Sequence, residues 1–134
     1  IMDIVLSIIA LPLFVLVYLL DELTVLVINV KGKKWFKTTA KRKFTKAFKV
    51  DVFANYLFPD FWNFAFSKGG YKFGVFGETL SSCFGKKRLE KSLNWFGLFV
   101  SWIIDAIDFT TWKKRGHCIA SIMTEEEILN FLLF

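Results

Sequence analysis

His117 and Cys118 adjoin in the segment Gly116-His117-Cys118, and they pair the two side-chain types that most often carry nucleophilic or metal chemistry. Adjacent residues seldom point into one site, so zinc here requires a further ligand from a distance, Cys83 or a carboxylate such as Glu78. A cysteine nucleophile likewise needs a base within hydrogen-bond reach and a group to orient that base. The plainer reading is a turn histidine bonded to backbone beside a half-buried thiol. Asp105 and Asp108 stand one helical turn apart, which suits either carboxylates that share a proton or the wet face of an amphipathic helix. Glu78 followed by the hydroxyls of Thr79, Ser81 and Ser82 has the composition of a helix start.

Other chemistries are absent from the pattern. The stretch Gly74-Val75-Phe76-Gly77-Glu78-Thr79 matches neither GxxxxGK[ST] nor GxGxxG, so no nucleotide cradle is written there. Cys83 and Cys118 lack CxxC spacing and read as a reduced pair or one disulfide, not as a framework. No cofactor and no metal is implied, and no catalytic residue is assigned. An enzyme using Glu78, His117 and Cys118 ranks third among the functional readings.

The elements that must position these residues come from a chain of 134 residues that is 54% hydrophobic, with 17 Phe, 2 Pro and 2 Cys. Such a composition excludes a disordered tail, a collagen-like repeat and a disulfide-dense scaffold, and its apolar excess points to a lipid-facing surface. The net charge of +6 is unevenly placed. Residues 1–30 carry Asp3, Asp21 and Glu22 and no base, whereas residues 31–49 carry Lys31, Lys33, Lys34, Lys37, Lys41, Arg42, Lys43, Lys46 and Lys49 and no acid. A basic block directly after an apolar run is what the positive-inside bias and attraction to anionic lipid produce.

From Ile4 to Leu20 only Ser7 interrupts the apolar run, and Leu23 to Val30 continues it. This predicts a helix over 4–30, kinked at Pro12, that spans a bilayer with its carboxyl side cytoplasmic. A buried core helix is the alternative, since Asp21 and Glu22 are costly in lipid. No basic n-region or cleavage site precedes the run, so it reads as retained. Next, Phe36, Ala40, Phe44, Ala47 and Phe48 fall on one face of a helix. That basic amphipathic helix, 31–49, is expected to lie on lipid through Lys31, Lys33, Lys34, Lys37, Lys41, Arg42 and Lys46 together with Trp35, Phe36, Phe44 and Phe48. A surface helix packed on its own core is the alternative.

Residues 50–66 hold seven aromatics and are broken at Pro59, with Asp60 placed to cap a short helix from Phe61. Residues 67–87, rich in glycine, read as the least helical part. Helix returns from Arg88 to Phe109 with a narrow polar stripe of Glu90, Asn94, Gly97, Ser101, Asp105 and Asp108. It is too short to span alone, so it lies half-buried in the interface or packs on the first helix. Lys113, Lys114 and Arg115 follow, and Thr124 with Glu127 forms a capping box for a last helix.

Taken in order, Phe76-Gly77-Glu78-Thr79-Leu80-Ser81-Ser82, Gly85-Lys86-Lys87, Ile104-Asp105-Ala106-Ile107-Asp108 and Gly116-His117-Cys118-Ile119-Ala120-Ser121 resemble a group of small uncharacterised proteins of tailed bacteriophages. The resemblance covers about residues 51–123, and this chain departs from it at Cys83, where the pattern has Arg. It implies a phage origin and a shared structural motif of Glu78, Thr79, Ser81, Ser82, Asp105, His117 and Cys118, in which the 116–118 turn closes on the 78–82 stretch.

The combined reading is a mainly α protein with a membrane-anchor helix (1–30), a basic amphipathic helix (31–49) and an aromatic-rich helical head (50–134). Its expected function is non-enzymatic work at the host envelope during infection, such as lysis control, envelope remodelling or exclusion of other phages. The runner-up is a virion component in a viral membrane or a portal or tail passage. Expected partners are anionic lipid headgroups, with a second copy or other phage proteins also open. Nucleic acid is disfavoured, because the aromatics among the bases share one helical face and are not laid out as stacking platforms.

Overall fold

The computed structural model describes residues 2–30 and 35–133. Lys31, Lys33 and Lys34 lie outside the described residues, as do the side chains of Trp35, Phe36, Lys37 and Lys41. The fold is mainly helical, and among the described residues the only strand-like feature is an isolated bridge between Ser67 and Leu93. Two compact units divide the chain, Ile1–Lys43 and Phe44–Phe134.

The first unit is dominated by α1 (Met2–Val30), whose 29 residues reach about 43 Å. Its stretch Met2–Ile28 is long and apolar enough to cross a membrane, and none of its apolar window is buried. Pro12 sits inside the helix, and two of its hydroxyls turn back onto it: Ser7 Oγ donates to Asp3 O at 2.8 Å and Thr24 Oγ1 to Leu20 O at 2.7 Å. Both polar groups are thereby satisfied without water.

Helix α2 (Trp35–Leu57) carries the basic residues to Lys49 and runs on past them to Leu57, beyond the expected end at residue 49. No proline or glycine stops it before Pro59, and the residue before a proline is driven out of helical geometry. α3 (Pro59–Phe66) starts at that proline, two residues earlier than expected, with Phe58 in the cap position and Asp60 in the first turn. A loop over 67–79 leads to α4 (Leu80–Leu89), which includes residues that read from the sequence as irregular. Gly85 accounts both for that difference and for the helix's place: a Cβ there would lie 2.2 Å from Cys118 O, so only glycine lets α4 press on α6 (His117–Ala120).

The helix expected over 88–109 is split. Residues 90–94 form a turn with Lys91 at φ 59, and α5 (Trp95–Ile107) restarts with Asn94 Oδ1 accepting from Gly97 N at 2.8 Å. That turn is tied to the end of α3: Lys68 N donates to Ser92 O at 2.8 Å and Asn94 N to Phe66 O at 2.9 Å. A 3-10 turn (Phe109–Lys114), the short α6 and α7 (Glu125–Leu133) complete the unit. The capping box of α7 is formed, with Glu127 N donating to Thr124 Oγ1 at 3.2 Å and Thr124 N to Glu127 Oε2 at 2.7 Å. α4 is the hub, packed on α5 and α6, and the apolar core gathers Phe66, Phe73, Cys83, Phe84, Leu93 and Cys118.

Candidate functional site

Three groups of side chains in the second unit have the chemistry to matter. The first surrounds Glu78, which is fully buried. Its Oε1 accepts from Ser82 Oγ at 2.6 Å and faces Lys86 Nζ at 2.7 Å, and its Oε2 accepts from Tyr71 OH at 2.5 Å. Thr79 caps α4 by accepting from Ser82 N at 3.1 Å, and Ser82 Oγ accepts in turn from Met123 N at 2.8 Å. Ser81 Oγ donates to Asp51 at 2.8 Å. The loop before α4 is held by Asn55, whose amide donates to Glu78 O at 3.0 Å and accepts from Gly74 N at 3.0 Å. Lys87, also fully buried, donates to Gly69 O and Tyr71 O, each at 2.6 Å. Burial pulls its ammonium below the ordinary lysine pKa.

The second group surrounds Asp105. This buried carboxylate pairs with Arg88 and accepts from Cys118 N at 2.8 Å, while its backbone oxygen takes Trp112 Nε1 at 2.9 Å. Gly116 supplies the clearance: a Cβ on it, at φ 97, would fall 2.3 Å from the Asp105 carboxyl carbon. Asp105 and Asp108 therefore do not act as a carboxylate pair, since each is claimed by a different partner. Nor is the polar stripe of α5 its wet face. Gly97, Ser101 and Asp105 are buried, and the exposed face is Trp95, Leu98, Phe99, Trp102, Ile103 and Ile107.

The third group lines a cleft of about 1100 Å³ bounded by α2 residues from Phe44 onward, the 3-10 turn, α6 and α7. His117 Nδ1 stands 2.7 Å from Asp108 Oδ2, and Asp51 and Thr79 line the same cleft. The hydroxyl of Thr110, and next His117, hold the Asp108 carboxyl below the usual range; burial raises that of Asp51 against the opposing Ser81 hydrogen bonds. An imidazole anchored at Nδ1 by a carboxylate can pass a proton through Nε2. The apolar floor includes Phe48, whose ring lies 5.7 Å from that of Phe131, so part of the face expected to meet lipid is covered by α7. Phe44 and Arg42 remain exposed and Lys46 is half-buried.

The turn histidine expected to bond backbone, His117, meets a carboxylate instead. Its carboxylate partner is Asp108, and Glu78 is occupied by Tyr71, Ser82 and Lys86. The contacts near these segments join Cys118 to Gly85 and Met123 to Ser82. Cys118 is no nucleophile: fully buried, its thiol faces Ser101 O at 3.7 Å, and burial followed by the Asp105 charge pushes its pKa up to about 12. Both cysteines are free thiols, and among the described residues no group of His, Cys, Asp and Glu gathers to hold a metal ion. Tyr71, Arg88, Asn55, Lys87 and Asp51 escape the sequence reading. Their partners lie far along the chain, and the only signal in the sequence is the presence of polar residues in an apolar segment.

No protein-family model matches the chain, and no curated protein or solved structure is significantly similar to it.

Proposed function

We propose that this is a bacteriophage membrane protein that works without catalytic turnover at the host envelope during infection, in lysis control, envelope remodelling or exclusion of other phages. The observation that carries the membrane part is α1: an apolar helix of bilayer length with no buried residue in its span and with its Ser7 and Thr24 hydroxyls bonded to its own backbone. Support for the phage part is the resemblance, whose separate motifs meet in one buried cluster around α4 and α6. Support for a non-enzymatic role is the fate of the reactive side chains: Glu78 and Asp105 are consumed by structural partners and both thiols are sealed in the core. The nine bases that follow α1 favour a cytoplasmic carboxyl side.

The test uses the two native cysteines as a silent background, since both are buried. Met2→Cys and Thr38→Cys variants are treated in intact cells with a membrane-impermeant maleimide. Labelling at position 2 alone, with protein retained after alkaline carbonate washing, is the expected result. Equal protection of both sites combined with carbonate release refutes the span.

A further inference from the structure

We propose that α3 and α5 form a second lipid-contacting surface, on which the head lies in one leaflet of an anionic membrane with α5 parallel to the plane; this rests on the membrane reading above. α5 is amphipathic in the inverted sense. Its outward positions recur with helical period and carry Trp95 at 78% exposure, Trp102 at 67% and Ile107 at 73%, while its one ionised side chain, Asp105, is folded inward onto Arg88. α3 adds Phe64, 91% exposed, and Phe61.

The two sets flank one core ring: Phe66, itself buried, contacts Phe61 at 5.8 Å between ring centroids and Phe96 at 5.2 Å, and Phe96 contacts Trp95 at 5.6 Å. Soluble monomers rarely leave so many large apolar side chains open to water on neighbouring helices.

Two further features select lipid as the occupant over a second copy or another protein. The first is length and charge at the ends. Thirteen residues give α5 about 20 Å, well short of a bilayer's apolar thickness of about 30 Å. Exposed bases flank it on both sides, Lys91 before it and Lys113, Lys114 and Arg115 after the following turn. A helix with basic residues at each end and none on its outer face is held flat at an anionic surface by both ends. The second is the chain itself, whose α1 delivers the head to a bilayer.

The experiment attaches a nitroxide to the full chain in phosphatidylglycerol-containing vesicles, at Phe64→Cys, Trp102→Cys, Leu13→Cys and Glu126→Cys in turn. Collision with oxygen reports lipid, and collision with a water-soluble nickel complex reports solvent. The proposal expects positions 64 and 102 to lose nickel access and gain oxygen access, matching position 13, while position 126 stays open to nickel. Nickel access at 64 and 102 with lipid exposure at 13 overturns this surface and spares the membrane reading. Nickel access at all four overturns both. Protection of 64 and 102 from both reagents, with spin–spin broadening, assigns the face to a second copy and also overturns the proposal; the same protection without broadening assigns it to protein packing and overturns it equally.

Discussion

Helix α1 buries none of its apolar window, whereas α5 buries Gly97, Ser101 and Asp105 and turns Trp95, Phe99 and Trp102 outward. Both are strings of large apolar residues, and their difference lies in what each asks of the rest of the chain. In α1 the Ser7 and Thr24 hydroxyls are bonded to the helix's own backbone, and its apolar window is not covered by protein. α5 carries a carboxylate that is tolerable only because Arg88 and the Cys118 amide meet it. Both helices thus present apolar side chains outward, and α5 relies on Arg88 and the Cys118 amide, from other elements, to hold its carboxylate.

Disrupting the head should therefore leave α1 untouched, and the largest effect is expected at the α4–α6 contact. Gly85→Ala forces a methyl onto the Cys118 carbonyl and should destabilise the head by about 3 kcal/mol or more. The readout is thiol reactivity of Cys83 and Cys118 on heating, with carbonate resistance unchanged. Loss of membrane retention in this variant would break the comparison. Next in size, Asp105→Ala strands Arg88 and the Cys118 amide at a cost of about 3 kcal/mol. Asp105→Asn keeps an acceptor and should recover part of it, which equal melting shifts for the two variants would contradict.

Glu78→Gln retains hydrogen-bonding atoms for Ser82 and Tyr71 but removes the charge that faces Lys86, with an expected loss of about 2 kcal/mol by chemical denaturation. Thr124→Ala removes the cap of α7 for about 1 kcal/mol, measured the same way.

These signals are legible in the sequence to the extent that they are local. The apolar run of α1 and the Thr-x-x-Glu box of α7 each lie within their own element, and both are present as read. The face of α5 is legible as a period, but periodicity says which residues share a side and not which side meets protein. Arg88, the partner that turns Asp105 inward, is 17 residues away and on another helix. The start of α4 is legible in the hydroxyls around Thr79, which caps it, but its extent is obscured because Gly85 reads as a breaker while it serves close packing inside the helix. Asn94 reads as one more stripe position and is in fact a cap. His117 and Asp108 are joined across a 3-10 turn, a geometry that residue spacing does not encode.

The smallest expected effects come from the cleft and sharpen the contrast by pH. The Asp108 carboxyl is depressed, so the stability it contributes is present above the ordinary carboxylate pKa and lost as pH falls through its folded value. Asp51 is raised, so its contribution runs the other way and is lost as pH rises from the ordinary value through the folded one. Melting temperatures recorded from about pH 3 to about pH 7 should therefore fall at neutral pH for Asp108→Asn and rise for Asp51→Asn, on the ordinary carboxylate scale. Shifts of the same sign in both variants would show that the cleft does not separate the two groups.

Lys87 gives the loop over 67–79 an unusual fastening. Its ammonium is wrapped by the carbonyls of Gly69 and Tyr71 and lies 5.6 Å from the centre of the Phe73 ring, so the loop is closed around a tethered cation much as a crown ether closes around a free one. An acylating reagent that modifies the exposed Lys68, Lys72 and Lys91 must wait at Lys87 until the loop that supplies the two carbonyls opens. The pace of acylation at that single nitrogen is then a clock for the loop's own opening.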